Sequence, residues 1–152
     1  MSMAPPLVVD TSVALKWFFD EPYSEQALRL LDAFREGSAR VLAPDSIYPE
    51  FANAVWKRIA SDRLDIEAGA VTITAFLALP IEITPSPLLL ISAYRLALEH
   101  RHSVYDALFL ALSLEAGADL MTADEALYRT MRRQFPRVRW LANFPNSSDL
   151  PM

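Results

Sequence analysis

Short apolar runs alternate with longer amphipathic segments along the chain, and this alternation limits the possible folds more than any other feature of the sequence. Each run is three or four residues long, and proline or an acidic residue flanks four of the five, as is common for strands. The runs cover residues 7–9, 41–43, 81–84, 120–122 and 138–141. Strands that alternate with helices favour a parallel sheet with helices on both faces. The sequence therefore predicts an α/β fold.

Helical patterns fill the intervals between the predicted strands. They cover residues 13–19, 24–36, 45 or 49 to 62, 66–79, 88–100, 103–116 and 124–133. The chain has 152 residues, a length typical of one domain. We therefore expect a single domain over residues 1–152, with a core from about 7 to 141 and a loose tail over 143–152.

Carboxylates dominate the chemically active side chains of this sequence. The chain has no Cys and only two His, His100 and His102, against 19 Asp and Glu. Thiol catalysis and cysteine-ligated metals are excluded, and any imidazole chemistry would depend on one of two neighbouring residues. We expect both histidines to lie at a solvated helix end rather than to bind a metal.

The charge balance bears on the partners of the chain. A formal net charge of −5 argues against nucleic-acid binding driven by the whole surface, because such binders usually carry a basic excess. Twelve of the 14 cationic residues are Arg, and guanidinium groups suit phosphates and stack on bases. No apolar stretch reaches the length of a membrane span. We expect a cytoplasmic protein without a membrane segment.

Four acidic residues follow predicted strands or begin the helices after them. They are Asp10, Glu50, Asp106 and Asp124. Ligands of open parallel sheets bind outside the carboxyl ends of the strands, so these acids are expected to meet at one edge. Carboxylates brought together raise one another's pKa unless a cation neutralises them. Oxygen ligands of this kind suit Mg²⁺ or Mn²⁺.

Helix capping is the alternative explanation for each acid taken alone. Asp10 and Asp124 could cap the helices that follow them, and Glu50 could stabilise its helix by interacting with the positive end of the helix dipole. Ser103 and Asp106 have capping-box spacing. Capping does not explain why Asp10 and Asp106 lie in largely apolar surroundings, where an unpaired carboxylate is costly.

Four short motifs, in this order and spacing, resemble those of the PIN-domain family. They are Val9-Asp10-Thr11-Ser12-Val13, Pro49-Glu50-Phe51-Ala52-Asn53, Tyr105-Asp106-Ala107-Leu108 and Thr122-Ala123-Asp124. With a length near that of a bare PIN domain, the chain looks like the VapC-type toxins of bacterial toxin–antitoxin pairs. The resemblance covers about residues 7–141. It implies a three-layer α/β/α sandwich with a central parallel sheet.

The resemblance also implies a function and a set of site residues. The function is Mg²⁺- or Mn²⁺-dependent endonuclease cleavage of single-stranded RNA, with a homodimer held inactive by a VapB-type antitoxin. The family's catalytic and metal-binding acids correspond to Asp10, Glu50, Asp106 and Asp124. Supporting positions correspond to Thr11 or Ser12, to Thr122 and to Asn53.

Some alternatives remain open at this point. Glu125 or Asp119 could replace Asp124 as the fourth acid. Core packing is the favoured interpretation of Trp56, and Lys16 could reach a phosphate. A PIN-like module that binds RNA or protein without cutting is the main alternative function, and all four acids being present counts against it.

Overall fold

The computed structural model describes residues 4–144, and its centre is a parallel sheet of five strands. The strands are β1 (Pro6–Val9), β2 (Arg40–Pro44), β3 (Glu82–Thr84), β4 (Asp119–Thr122) and β5 (Val138–Trp140). All five predicted strands are confirmed, and no strand end differs from its prediction by more than one residue. Short strands of this kind form because branched and aromatic side chains bounded by turn residues pack well on a pleated surface.

The strands follow the order β3-β2-β1-β4-β5, and every neighbouring pair is parallel. The first strand, β1, therefore lies in the centre of the sheet, with β2 and β3 on one side of it and β4 and β5 on the other. Residue pairs at the strand ends fix the register: Val9 lies beside Met121, and Thr122 beside Trp140. All carboxyl ends consequently lie at one edge of the sheet.

Seven α-helices flank the sheet within the described residues. They are α1 (Thr11–Leu15), α2 (Ser24–Glu36), α3 (Ile47–Ala60), α4 (Ile66–Leu77), α5 (Leu90–His100), α6 (Val104–Ala116) and α7 (Glu125–Met131). Short 3₁₀ helices occupy Ser86–Leu88 and Leu141–Asn143. The predicted three-layer α/β/α architecture is confirmed.

The core is formed by the central strands and by the helix that lies against them. Val8 and Val9 of β1 are fully buried, as are Leu120 and Met121 of β4. Helix α6 is buried along most of its length and contacts β1, β2, β4 and α5. A helix that is apolar nearly all round has to lie inside the protein, and this helix confirms the helical pattern predicted over residues 103–116.

Helices α3 and α4 pack against each other at Gly69. A Cβ atom on Gly69 would lie 2.6 Å from Ile59 Cδ1 and 3.2 Å from Val55 Cγ1. A larger residue here would therefore require the Ile59 side chain to move, and glycine lets it pack directly on the α4 backbone.

The predicted start of the loose tail needs correction. The sequence predicts a tail over residues 143–152, but Asn143 belongs to the 3₁₀ helix Leu141–Asn143 and Phe144 is buried. Phe144 is apolar and therefore packs onto the core instead of extending into solvent. Residues 145–152 lie outside the described part of the chain. Within residues 4–144, no helix is long and apolar enough to cross a membrane.

Candidate active site

Asp10 occupies the point where the central strand β1 passes into α1. Its side chain caps the helix by accepting a hydrogen bond from the Val13 N–H at 3.3 Å. The same Oδ1 atom accepts a hydrogen bond from Ser12 Oγ at 2.5 Å, and Oδ2 accepts one from the Thr122 hydroxyl. The carboxylate is buried, so these donors replace the water that it has lost. Asp10 is thus both a helix cap and a fixed, inward-facing acid.

Asp124 is joined to Asp10 through the two hydroxyl groups. Thr122 Oγ1 accepts a hydrogen bond from the Asp124 N–H at 3.0 Å, and Ser12 Oγ accepts one from the Ala123 N–H at 2.9 Å. Asp124 is exposed, and its side chain caps α7 by accepting a hydrogen bond from the Leu127 N–H at 3.1 Å. The ends of β1 and β4 therefore form one connected polar network.

Glu50 and Asp106 come from the first turns of α3 and α6. Ser103 caps α6 by accepting from the Asp106 N–H at 3.1 Å, so the capping interpretation of this serine is correct. The Asp106 carboxylate lies near both Ser103 and His102, and His102 Nδ1 is 4.0 Å from Asp106 Oδ2.

Three polar atoms around Glu50 are buried and have no hydrogen-bond partner within the described residues. They are Glu50 Oε2, Thr11 Oγ1 and Ser46 Oγ. The two hydroxyls are near enough to Glu50 to lower its pKa, but neither forms a hydrogen bond of normal geometry. Buried oxygen atoms in native proteins usually have partners, and a group of orphaned oxygens fits a cation that prefers oxygen ligands.

The pKa shifts show how closely the acids interact. Burial raises the pKa of Asp10 from 3.8 to about 6, and the charge of Asp124 adds to this against the lowering effect of the hydrogen bonds. Burial likewise raises the pKa of Glu50 from 4.5 to about 7, with further contributions from Asp106 and Asp10. The pKa of Asp106 is raised by burial and by Asp124, and His102 opposes the shift. Each of the four acids therefore lies in the field of at least one other.

No Lys or Arg within residues 4–144 forms an ion pair with any of these four acids, and the basic side chain beside them in that range is His102, 4.0 Å from Asp106. In the same residues, no three acidic or histidine side chains are close enough to hold a metal ion together. A divalent cation bound here would therefore have few carboxylate ligands and would complete its coordination with water, as Mg²⁺ often does. The oxygen donors suit a hard cation, but they do not form a closed site.

The structure separates the predicted site residues into three groups. A connected network joins Asp10, Ser12, Thr122 and Asp124. Glu50, Asp106 and Thr11 face this network across the edge of the sheet. Asn53 is exposed, one turn beyond Glu50 on α3.

Asp119 is not an alternative fourth acid. It begins β4 and lies at the opposite edge of the sheet, where Arg137 and Arg139 each approach it to 3.4 Å. Asp119 begins β4 and Asp124 follows its end, so the length of the strand separates the two residues. Only Asp124 can therefore lie beside Asp10. Glu125 faces Arg129 at 2.5 Å on the surface of α7, so it is paired elsewhere.

Three further predictions were wrong, because tertiary packing determines whether these side chains are buried and what they contact. His102 and His100 are not solvated, since each side chain is only 15% exposed. Trp56 is not a core residue, since it is 61% exposed. Lys16 does not face the acids but pairs with Glu21 at 3.1 Å.

His102 and Ser46 are the site residues that sequence reasoning missed. His102 comes just before the N-cap Ser103 and lies outside α6, so helical spacing gave no signal for its approach to Asp106. Ser46 carried no signal either, since its position beside Glu50 depends on the turn between β2 and α3.

A parallel sheet with this acidic edge defines a class of protein, and the sequence places the chain in it. The chain matches the PIN domain family over residues 7–132 and therefore belongs to that family. It is 31% identical over 136 residues to ribonuclease VapC3 of Pyrobaculum aerophilum, a match that covers 87% of this chain and 96% of that protein.

Solved structures show the same fold at lower sequence identity. The sarcin-ricin loop cleaving toxin VapC20 of Mycobacterium tuberculosis superposes with a TM-score of 0.64 at 17% identity, covering 88% of this chain and 98% of that one. VapBC2 of Rickettsia felis, bound to a DNA fragment from its promoter, gives a TM-score of 0.61 at 12% identity, with coverages of 89% and 96%. At these identities the likeness concerns the fold.

Proposed function

We propose that this chain is a metal-dependent endoribonuclease that cleaves single-stranded RNA, acting as the toxin of a VapBC-type pair in the cytoplasm. The observation that carries the proposal is the group of four acids at one sheet edge, within a described chain that gives none of them a Lys or Arg partner. Similarity to a ribonuclease, VapC3, supports the choice of reaction.

The proposed cofactor is Mg²⁺ or Mn²⁺, held by Asp10 and Asp106 with help from Glu50 and Asp124. Such an ion supplies a Lewis acid for a phosphate and lowers the pKa of a bound water. Ser12 and Thr122 hold the Asp10 carboxylate in one orientation, as outer partners of a metal ligand do.

Glu50 is suited to move a proton. Its raised pKa, about 7, lies near the pH at which a general base works best. Thr11 and Ser46 lie beside its carboxylate, and Asn53 is three residues further along α3. We assign Glu50 the role of accepting a proton from the attacking water.

The test is cleavage of a fluorescent single-stranded RNA by the purified protein. We expect cleavage with Mg²⁺ or Mn²⁺, none in excess EDTA, and none by the Asp10→Asn variant. A hairpin RNA and a DNA of the same sequence serve as controls for the single-strand and ribose requirements. Cleavage that persists in excess chelator would contradict the proposed mechanism.

A catalytically silent PIN-like binding module is the second candidate. It is favoured by one observation: no three acidic or histidine groups within residues 4–144 are close enough to form a ready metal cage. Calorimetric titration with Mn²⁺ separates the two functions. The nuclease requires binding that Asp10→Asn abolishes, whereas the silent module requires neither metal binding nor cleavage.

We also propose a homodimer and a VapB-type antitoxin as partners. One face of α5 supports the dimer, because Leu90, Tyr94 and Leu98 recur every fourth residue and are 48%, 54% and 64% exposed. Exposed apolar surface of this extent is typical of interaction sites. Light scattering on the purified chain tests the dimer, with Tyr94→Lys as the variant expected to give monomers. Co-purification with the product of a neighbouring reading frame tests the antitoxin.

A further inference from the structure

Three aromatic rings contact one another beside the acidic edge, and the proposed reaction does not use them. We call them the aromatic patch: Tyr23, Tyr128 and Trp140. The ring centroids of Tyr23 and Trp140 are 5.6 Å apart at 72°, and those of Tyr128 and Trp140 are 5.5 Å apart at 32°. Such distances and angles are those of attractive aromatic pairs.

The patch lies at the same edge of the sheet as the acids. Trp140 ends β5 and is in register with Thr122 of β4, whose hydroxyl contacts both Asp10 and Asp124. Tyr128 lies one turn after Asp124 on α7, and its N–H donates to the Asp124 carbonyl at 3.0 Å. The aromatic patch therefore continues the acidic edge on the Asp124 side.

The patch is open to solvent and carries a cationic group. Tyr23 is 41% exposed, and both Tyr128 and Trp140 are half-buried. The exposed Arg132 lies over the Tyr128 ring, with Cζ 5.6 Å from its centroid. Aromatic rings with nearby arginine are what proteins use to bind single-stranded nucleic acid, since every base can stack and every phosphate is anionic.

The backbone at Tyr23 allows the ring to be removed cleanly. Tyr23 precedes α2 with a φ of 70°, a left-handed conformation that glycine adopts freely and other residues rarely adopt. A glycine at this position therefore removes the ring and its contact with Trp140 without straining the start of the helix.

We propose that the aromatic patch stacks an unpaired base of the RNA on the Asp124 side of the scissile phosphate, with Tyr23 and Trp140 as positioning residues and Arg132 near the adjoining phosphate. This inference rests on the proposed ribonuclease function. It implies that the chain reads one base position by stacking, so that cleavage requires an unpaired nucleotide there.

The experiment compares Tyr23→Gly with Tyr23→Phe on a single-stranded RNA. Glycine removes the ring but suits the left-handed backbone, so the fold is preserved. Phenylalanine keeps the ring. Leu28→Ala is the surface control, because Leu28 is 44% exposed on the same helix. We expect KM to rise roughly fivefold to tenfold in Tyr23→Gly with kcat nearly unchanged, and to stay within about twofold in the other two variants.

A set of RNAs with one abasic nucleotide at each successive position separates stacking from a structural role. At one position the abasic RNA should raise KM for the unchanged protein and remove its difference from Tyr23→Gly. A difference that persists with every abasic RNA would mean that the ring acts only by packing α2 onto β5, and this would overturn the inference.

Binding of the same RNAs to Asp10→Asn proteins, with and without Tyr23→Gly, gives a readout that needs no cleavage. Equal affinities with and without the tyrosine overturn the stacking inference, whatever the nuclease assay gives. If the unchanged protein does not cleave RNA with either metal, the proposed function fails, while weaker RNA binding by the Tyr23→Gly protein would still support the patch.

Discussion

Acidic residues lie at both ends of the strands, but their surroundings differ. At the edge where the strands begin, the amino edge, Arg40 donates to both carboxylate oxygens of Glu82, at 2.7 and 2.8 Å, and two arginines approach Asp119. The Arg40 hydrogen bond lowers the pKa of Glu82. At the carboxyl edge, burial raises the pKa values of Asp10, Glu50 and Asp106.

This difference separates acids that the chain pairs with its own arginines from acids that have no Lys or Arg partner within the described residues. The shift of the Asp10 pKa from 3.8 to about 6 corresponds to about 3 kcal/mol of lost stability at neutral pH, at 1.36 kcal/mol per pKa unit. A fold that needed these acids only as helix caps could use uncharged asparagine or serine at a lower cost. This cost supports the proposal that the charge at the carboxyl ends of the strands serves binding.

Asp10→Asn gives the largest effect that distinguishes the two edges. We expect cleavage to fall at least about 100-fold, because the ligand that the hydroxyl network orients loses its charge. Stability of the metal-free protein at pH 7.5 should rise by about 1–3 kcal/mol, since a neutral side chain of the same shape remains. Cleavage assays and urea unfolding measure the two effects. Unchanged cleavage, or a large loss of stability, would show that Asp10 is structural.

The pH dependence of stability is the next largest effect. A carboxyl whose pKa is raised in the folded state stabilises the fold at low pH, and this contribution is lost as pH rises through its folded pKa. Because Asp10 and Glu50 have pKa values of about 6 and 7, stability in EDTA should fall by about 3 kcal/mol or more between pH 5 and 8.

Divalent cations should reverse this loss. Saturation at 100 times Kd adds about 2.7 kcal/mol, and the gain should be greater at pH 8 than at pH 5 because the ligands must be ionised. Differential scanning fluorimetry across pH, with and without Mn²⁺, measures both trends. Asp10→Asn is the control and should flatten the pH profile. A Tm in EDTA that increases up to pH 8 would contradict the assignment of the raised pKa values.

Thr122→Val tests the link between the two acids of the strand ends. The valine cannot donate to Asp10 or accept from the Asp124 N–H, so buried groups lose partners at a cost of about 1–3 kcal/mol. Cleavage should fall about tenfold, as for other outer partners of metal ligands. Thr130→Val is the matched control, because Thr130 is exposed on α7 and bonds only the Ala126 carbonyl. If both substitutions lowered cleavage equally, Thr122 would have no specific role in the site.

The strands and helices could be predicted because their signals are local. Apolar runs between turn residues identified every strand, and the Ser24–Glu36 helix was predicted to the residue because Gly37 ends it in a left-handed conformation. Asp10, Asp106 and Asp124 could be placed near one edge because parallel strands share their carboxyl ends. These inferences need only chain order and strand direction.

The environment of each side chain could not be predicted in the same way. His102 faces Asp106 and Trp56 faces solvent because of how whole helices are rotated against the sheet. The helical periodicity of α3 did not separate Trp56 from the buried Val55 beside it. The unpaired oxygen atoms around Glu50 come from α1, from α3 and from the turn before α3. No local sequence pattern predicts that these segments lie together.

Asp119→Asn gives the smallest expected effect and completes the comparison of the two edges. Asp119 is 36% exposed and its arginine partners lie at 3.4 Å, so the loss should be below about 1 kcal/mol. Cleavage should stay within about twofold of the unchanged protein, since β4 separates this residue from the acidic edge. Glu82→Gln, which removes the charge of the other amino-edge pair, should behave alike. A loss of cleavage above tenfold in either variant would show that the amino edge also contributes charge to the reaction, and the division between structural and binding acids would then be wrong.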